Sequence, residues 1–364
     1  MSKKNLLIFM PSIDGWGVEK NFFLIINYLG KNFSNISLIT SDKSIKKRID
    51  RNINLIGPNS NFWRTKSRYS KYFISIIYLI KFLIFNRNTL VFSFQANLYA
   101  ILISKIFCKK IITRSNSSSE GWSQNFIKKF IYKIFLKLSD QVIVNSYDFK
   151  KELDSKFGIN SIAIFNPLNK SVIQKKSKEK FKFKFYKDNN IKLITVGRLE
   201  DQKDQQTLLK AINLIKFKNI QLLIIGDGSK KKKLNDYIIK KKLSSLVKII
   251  SYKSNPYKYI KKANIFLLTS KLEGLPNVLL ETQVLKKYII STNCPTGPKE
   301  ILMNGKIGSL FKVGDFKKLA SILMDYNKNK KKYKKKIIIA KSKLDRFDYA
   351  HNCQEYLSLI NSMI

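Results

Sequence analysis

The sequence is poor in acidic residues, cysteine and histidine, and these shortages limit the kinds of protein it can encode. Asp and Glu total 24 against 70 Lys and Arg, which gives a formal net charge of +46. The three cysteines, Cys108, Cys294 and Cys353, have no paired spacing and no metal-ligand pattern, so neither a disulfide framework nor a cysteine-bound metal is expected. A reducing, cytoplasmic environment fits this composition.

Long apolar runs are also lacking. The longest, over 72–85, is interrupted by Lys81 and is shorter than the roughly 20 residues that a membrane span needs, so we expect a buried helix packed on a sheet. The apolar run over 5–10 is followed at once by Pro11 and is too short for a signal peptide, so we expect the first strand there. With 364 residues and 44% hydrophobic content, the chain can fill two cores.

Strand and helix patterns alternate along the chain, which predicts an α/β protein with parallel sheets and helices on both faces. The predicted strands cover 6–9, 36–40, 89–94, 111–114, 141–145, 163–166, 191–195, 221–225, 247–251, 265–269 and 288–292. The alternation stops at Pro167 and resumes at Ile191. We therefore predict an N-terminal domain over 1–167, a Lys-rich linker over 168–190, a C-terminal domain over 191–345 and a terminal helical segment over 346–364.

Two glutamates, Glu273 and Glu281, lie on either side of a predicted helix start. Pro276 suits the first helical turn, so the backbone donors over 274–278 should form a partly positive helix N-terminus at which an anion can bind. Glu281 would lie roughly 7 Å further along the helix axis, at about 1.5 Å per residue. This arrangement predicts a site for an extended ligand with phosphate in its middle, such as a nucleotide sugar. The alternative is an ordinary βα unit with incidental acids.

Two cations follow another predicted strand. Arg198 and Lys203 lie in the loop after the strand 191–195, and open α/β sheets bind ligands at the carboxyl ends of their strands. A guanidinium fork and an ammonium charge together suit a diphosphate. The strand 221–225 leads into Gly226-Asp227-Gly228, where glycine allows close backbone approach to a ligand, although this tripeptide is more often only a turn.

Together these motifs resemble the retaining glycosyltransferases of family 4, which have the GT-B fold of two Rossmann-like domains facing each other across a cleft. The resemblance also covers the glycine-rich loop over 14–20 and the segments 255–257 and 294–301, the last of which is similar to enzymes that build bacterial surface polysaccharide. It implies that Arg198 and Lys203 hold the diphosphate and that Glu273 holds the donor sugar beside the reacting carbon.

The resemblance implies further binding residues. Glu281 would hold the ribose hydroxyls, and the loop around Gly15 and Gly17 would close over the phosphates from the opposite domain. The implied nucleotide-sugar-binding positions are Gly15, Gly17, Gly197, Gly226, Asp227, Gly274, Leu275, Asn277, Val278 and Glu281. The terminal helix would pack back toward the N-terminal domain.

The sequence departs from the family at one position. Many relatives place a histidine of the N-terminal domain near the donor sugar, whereas the only histidine here is His351, close to the end of the chain. At the matching strand end lie Arg114 and Asn116, and the alternatives are that one of them takes over the polar role on the acceptor side or that the contact is absent. No Asp-x-Asp metal motif occurs, so neither a metal nor another cofactor is expected.

The expected reaction is the transfer of a sugar (hexosyl) group from a nucleoside diphosphate donor, here a UDP-sugar, to a growing, lipid-linked glycan in surface polysaccharide or lipopolysaccharide synthesis, with retention of anomeric configuration. One alternative is an enzyme like the nucleotide-sugar 2-epimerases, but those lack the glutamate pairing, and this chain lacks the histidines for their acid and base steps. The other is a non-catalytic basic protein that binds an anionic polymer.

The excess of positive charge needs a partner. Nucleic acid is not expected, because the lysines are spread over nearly every segment and no nucleic-acid-binding motif is visible. The anionic inner face of the cell membrane is the expected partner, with peripheral attachment. The candidate patch is 125–139, where an apolar stripe alternates with lysines at helical spacing. The alternative for this segment is a helix that faces the core and exposes only its lysines.

Overall fold

The computed structural model describes residues 5–13, 17–116, 125–215, 217 and 219–364. The chain divides into two compact units, Met1–Pro167 with Tyr349–Ile364, and Leu168–Asp348. The segment 168–190, expected as a linker, belongs to the second unit and contains a helix. The terminal segment belongs to the first unit, where Tyr28 donates a hydrogen bond to Gln354 over 2.8 Å.

Each unit contains one parallel sheet. The strands of the first are β1 (Asn5–Phe9), β2 (Ile36–Ile39), β3 (Ile53–Ile56), β4 (Thr89–Ser93), β5 (Ile111–Ser115), β6 (Gln141–Val144) and β7 (Ser161–Ala163), in the spatial order β3-β2-β1-β4-β5-β6-β7. Those of the second are β8 (Ile191–Val196), β9 (Ile220–Ile225), β10 (Val247–Ile250), β11 (Ile265–Leu268), β12 (Tyr288–Thr292) and β13 (Ser309–Phe311), in the order β10-β9-β8-β11-β12-β13. The central strands are nearly continuous runs of Ile, Leu and Val, as strands buried on both faces require.

Helices connect the strands. In chain order they are α1 (Gly17–Asn32), α2 (Arg68–Phe85), α3 (Asn97–Ile106), α4 (Phe126–Leu138), α5 (Tyr147–Phe157), α6 (Lys170–Ser177), α7 (Gln205–Leu214), α8 (Lys231–Lys240), α9 (Tyr257–Lys262), α10 (Asn277–Val284), α11 (Pro298–Ile301), α12 (Phe316–Lys328), α13 (Lys330–Ser342) and α14 (Tyr349–Met363). Both units therefore have the parallel-sheet α/β architecture predicted from the alternating pattern, and it is Rossmann-like, as the family resemblance implied.

The first sheet is covered by helices on both faces. Leu6 and Ile8 of β1 pack in one core cluster with α1 and α14, whereas Leu7 and Phe9 pack in another with α2, α3, α4 and α5. Because successive side chains of a strand point to opposite faces, these two clusters lie on opposite sides of the sheet.

The expectation of a buried helix over 72–85 is wrong for one side of α2. Leu79 and Leu83 are buried against the sheet, but Phe73 and Phe85 are 63% and 83% exposed. A sheet covers only one side of a helix, so a helix that is apolar all round keeps apolar residues on its outer side unless another element covers them. Among the helices that the structure describes, none combines the length and apolar character that crossing a bilayer requires.

Candidate active site

The predicted catalytic residues lie at the carboxyl ends of two neighbouring strands in the second unit. Arg198 and Lys203 follow β8, and Glu273 follows β11, which pairs directly with β8. The strand order reverses between β8 and β11, because the strands before β11 extend the sheet in one direction and those after it in the other. Such a reversal opens a crevice at the strand ends where α/β proteins bind ligands.

Lys203 and Glu273 are in direct contact. The Lys203 ammonium donates to Oε1 of Glu273 over 2.5 Å, and the Ser270 hydroxyl donates to the same oxygen over 2.5 Å. Glu273 is only 7% exposed, and a carboxylate at that depth requires a cation and hydrogen-bond donors to remain charged. The sequence predicted both charged residues, but it assigned one to the diphosphate and the other to the sugar and did not predict that they pair.

Hydrogen bonds tie the two loops together. The Thr269 hydroxyl donates to the carbonyl of Lys203 over 2.9 Å, and the Lys271 backbone donates to the carbonyl of Gln202 over 2.8 Å. In return, the Gln202 side chain donates to the carbonyl of Leu272 over 2.8 Å. The backbone of each loop is therefore held by the other, which fixes the separation of the ammonium and the carboxylate.

The loop after β12 braces Glu273 from a third direction. The Thr296 hydroxyl donates to the backbone carbonyl of Glu273 over 2.7 Å. Gly297 has a φ of +73°, and a Cβ atom there would lie 1.8 Å from the carbonyl oxygen of Gly274, so only glycine fits. Burial and the negative charge of Glu273 raise the pKa of the nearby Cys294 to about 12, which keeps this cysteine a thiol and excludes it as a thiolate nucleophile.

Helix α10 carries the second glutamate. It begins at Asn277, and Pro276 is the residue before the helix. The expectation that Pro276 lies in the first helical turn is therefore wrong. Gly274 and Leu275 are buried in the approach to the helix, while Asn277 and Val278 are half-buried in its first turn. Glu281, one turn further along, is also buried.

Tyr257 binds Glu281. Its hydroxyl donates to Oε1 of the glutamate over 3.0 Å, and both side chains are buried. Tyr257 opens α9, and the Asn255 side chain, in the turn before the helix, accepts a hydrogen bond from the Tyr257 backbone over 3.1 Å. Neither Tyr257 nor Ser270 was predicted as a site residue, although the segment 255–257 carries part of the family resemblance. The Asn-Pro turn before Tyr257 was the available signal, although a turn alone does not show which residue the side chain contacts.

Two of the predicted glycines lie against each other. Gly197 donates from its backbone to Ile225 at the end of β9, and a Cβ on Gly226 would lie 1.9 Å from the carbonyl oxygen of Gly197. Gly226 is therefore required for packing between the two strand ends. Asp227 accepts hydrogen bonds from Lys231 and from the Tyr252 backbone, each over 2.8 Å, and the bond from Lys231 lowers the pKa of this carboxyl.

Arg198 differs from Lys203 in its surroundings. Its side chain is exposed, and its backbone carbonyl accepts a hydrogen bond from Gln205 over 2.8 Å. The guanidinium is thus attached to a fixed backbone while remaining accessible to a ligand in solution.

In the first unit, Gly15 lies outside the described residues and Gly17 is the first residue of α1. Arg114 is only 1% exposed. Its Nε donates to the Tyr356 hydroxyl over 2.8 Å, and its Nη2 donates to the side-chain oxygen of Asn166 over 2.7 Å. Its Nη1 donates to Asn116, which is half-buried. The guanidinium of Arg114 therefore ties the end of β5 to α14, and the acceptor-side role given to both residues stays a prediction.

No group of three His, Cys, Asp or Glu side chains with the geometry of a metal site occurs within the described ranges.

The contact between Tyr257 and Glu281 leads to a testable expectation. Glu281→Ala should weaken the binding of UDP and of UDP-sugar alike by about 1 to 3 kcal/mol, as the loss of a buried hydrogen-bonding acceptor does. Tyr257→Phe removes only the hydroxyl that orients the carboxylate, so a smaller loss in the same direction is expected. Calorimetric titration with UDP measures both, and an unchanged affinity of the Glu281→Ala protein would show that this glutamate does not face the ribose.

Comparison with known proteins links this site to a family. Residues 176–343 match the family described as glycosyl transferases group 1. An uncharacterized glycosyltransferase of Methanocaldococcus jannaschii, MJ1059, is 33% identical over 223 residues, which cover 56% of this chain and 53% of that relative. A Campylobacter jejuni enzyme named as an N-acetylgalactosamine-N,N'-diacetylbacillosaminyl-diphospho-undecaprenol 4-alpha-N-acetylgalactosaminyltransferase is 26% identical over 273 residues, covering 71% of this chain and 73% of that enzyme.

The fold has solved counterparts. The crystal structure of Anabaena HepE in complex with UDP-glucose superposes with a TM-score of 0.78, covering 98% of this chain and 99% of that one at 15% identity. At this identity the likeness shows the fold, which is that of the GT-B glycosyltransferases. The matched segment, residues 176–343, contains the paired Lys203 and Glu273 as well as Glu281 and is similar to the glycosyl transferases group 1.

Proposed function

We propose that this protein is a retaining glycosyltransferase that takes a sugar from a UDP-sugar and adds it to a growing, lipid-linked glycan in surface polysaccharide synthesis. The observation that carries this proposal is the buried Lys203–Glu273 pair at the strand-order reversal, with Glu281 one turn into the adjacent helix. The family match supports the class of reaction, the UDP-glucose complex of HepE supports the donor, and the named undecaprenol-linked acceptor of the Campylobacter relative supports the lipid.

The cations have the first role in this mechanism. When the bond between the sugar and the diphosphate breaks, negative charge grows on the departing phosphate oxygens, and positive groups already in place stabilise it. An ammonium has three donors, so Lys203 can keep its bond to Glu273 while it donates to a phosphate oxygen. Arg198 supplies a planar fork that can bind two phosphate oxygens at once.

Glu273 has the second role. Among the described residues, the ammonium of Lys203 and the hydroxyl of Ser270 donate to Oε1, and no donor reaches Oε2. We therefore assign Oε2 to the donor sugar, where it would orient a hydroxyl and stabilise positive charge that develops near the anomeric carbon. We do not assign Glu273 as a covalent nucleophile, because hydrogen bonds from an ammonium and a hydroxyl lower the nucleophilicity of a carboxylate.

The proposal is tested by a panel of nucleoside diphosphate sugars, assayed for UDP release with lipid-linked glycan acceptors. Transfer from one UDP-sugar to such an acceptor is expected, and NMR of the product should show the anomeric configuration of the donor. Tight UDP binding without hydrolysis or transfer on any acceptor would instead favour a non-catalytic binding protein. Transfer with inversion would still show a glycosyltransferase, but it would overturn the proposed retaining mechanism.

A lipid-linked acceptor also determines where the protein has to act. The lipid end of such a glycan stays in the bilayer, so the enzyme must reach the membrane surface from the cytoplasm. We propose peripheral attachment to the inner face of the cell membrane, where anionic lipids attract a protein with a net charge of +46.

A further inference from the structure

Helix α4 exposes its most apolar side to solvent. Ile127 and Phe130 are 67% and 54% exposed, and Ile134 continues the same stripe one turn further on. Leu136, on the opposite side of the helix, is buried against the sheet. The alternative in which the apolar stripe of 125–139 faces the core and the lysines alone face solvent is therefore wrong.

The neighbouring helices continue this surface. Helix α3 packs beside α4 and exposes Leu102 and Ile106, and α2 packs beside α3 and exposes Phe73. The rings of Tyr72 in α2 and Tyr99 in α3 form a T-shaped contact, edge to face, with centroids 6.4 Å apart. The three helices thus present one continuous outer surface, which we call the α2–α4 surface. An apolar surface of this extent on a folded unit marks an interaction site.

The charge of the α2–α4 surface restricts what can cover it. The three helices contain eight Lys and Arg residues and no Asp or Glu. Lys128 and Lys137 are exposed on the two flanks of the α4 stripe. A second copy of the chain would bring the same positive charges opposite one another across a two-fold interface, and like charges in contact oppose association.

We infer that the α2–α4 surface docks on a bilayer that contains anionic lipids. The exposed Phe, Ile and Leu side chains would enter the boundary between head groups and acyl chains, and the flanking lysines would reach the anionic head groups from the same helix. Tyrosines such as Tyr69 and Tyr99, exposed on this surface, are residues that membrane interfaces favour. This inference rests on the proposed membrane location and is independent of the sugar-transfer chemistry in the other unit.

The test is flotation of the full-length protein with vesicles of phosphatidylcholine alone or mixed equally with phosphatidylglycerol. The parent should bind the anionic vesicles and be released by salt, since physiological ionic strength shortens the reach of surface charge to about 8 Å. Replacing Ile127, Phe130 and Ile134 together by serine should weaken binding by about tenfold or more. Lys128→Gln with Lys137→Gln should weaken it by about fivefold for each lysine.

Matched controls come from the second unit. Ile239, Ile338 and Ile339 are similarly exposed, and replacing them together by serine should leave vesicle binding unchanged. Lys232→Gln with Lys240→Gln is the corresponding control for the exposed lysines. Thermal melting checks that each variant is folded, and if the serine variant of α4 does not fold, Phe73→Ser with Leu102→Ser replaces it.

UDP titration separates this inference from the proposed reaction, because every docking variant should bind UDP like the parent. Equal binding of the parent to neutral and anionic vesicles, or binding to neither, would overturn the inference while leaving the transferase proposal intact. Equal binding by the α4 variant and the parent would also overturn it. A dimer that the same serine substitutions dissociate would assign the surface to a second copy of the chain.

Discussion

Replacing Glu273 by glutamine is expected to lower the turnover number by roughly 10²-fold or more, as the loss of one preorganised catalytic contact can. Glutamine keeps the length and shape of the side chain, and its carbonyl oxygen can still accept from Lys203 and Ser270, the two donors that hold Oε1. The substitution therefore preserves the loop and removes the negative charge. That charge is what we propose acts on the donor sugar and on the oxocarbenium-like transition state.

Initial rates of UDP release measure this effect. Calorimetry should show the affinity for UDP within a few fold of the parent, because the cations of the diphosphate site remain. Ser270→Ala is the matched control, since it removes a donor to the same oxygen but keeps the carboxylate, and a smaller loss of turnover is expected. Comparable turnover for the Glu273→Gln protein and the parent would remove Glu273 from the mechanism.

Removing the positive charge of Arg198 or Lys203 is expected to lower kcat/KM by about 10²-fold to 10³-fold, as the loss of a group that stabilises transition-state charge does. The diphosphate gains charge as the glycosidic bond breaks, so these contacts strengthen toward the transition state. Because protein cations would neutralise the leaving group, activity should survive EDTA. Arg198→Lys is also expected to lose activity, since an ammonium lacks the bidentate fork.

The Arg198→Ala and Lys203→Ala substitutions are expected to differ in their effect on the free energy of unfolding. Arg198 is exposed, so Arg198→Ala should leave the free energy of unfolding nearly unchanged. Lys203→Ala leaves the buried carboxylate of Glu273 without its cation, which should lower the free energy of unfolding by about 3 to 5 kcal/mol.

The assay compares sugar transfer with and without chelator for the parent and the alanine variants, alongside unfolding in urea. Lys271→Ala is a suitable control, because Lys271 is an exposed lysine of the same pair of loops. A parent enzyme silenced by EDTA and restored by Mn²⁺ would contradict this account of the leaving group, as would alanine variants that keep full activity.

The elements that the sequence predicted best are those that the sheets bury on both faces. The central strands β1, β4, β8, β9 and β11 were predicted within a residue or two, because short segments dominated by large apolar residues and bounded by polar ones are typical of buried strands. The edge strands β3 and β13 were not predicted. Each has three or four residues, and half-buried positions outnumber the fully buried ones in β13, so the local pattern is weak and the pairing with β2 or β12 decides the structure.

The residues of the candidate site could be proposed from the sequence, but the contacts between them could not. Motifs at the ends of predicted strands pointed to Arg198, Lys203, Glu273 and Glu281, because the carboxyl ends of parallel strands meet at one edge of a sheet. The ion pair between Lys203 and Glu273 joins residues 70 positions apart, and the bond from Tyr257 joins Glu281 across 24 positions. Such contacts depend on how adjacent loops fold over one another, which no local pattern specifies.

The sequence by itself determined the two-unit α/β architecture and the strand ends at which the charged residues gather, because the apolar period of each segment and the residues that follow it are local features of the chain. It also determined that α4 has an apolar side. Only the tertiary structure decided that this side faces solvent, because a helical period shows that one side is apolar but not which side the sheet covers. Here Leu136 packs inward and Phe130 faces outward, and Ser139 at the end of the helix donates hydrogen bonds to the carbonyls of Ile111 and Gln141, which hold that end on the sheet.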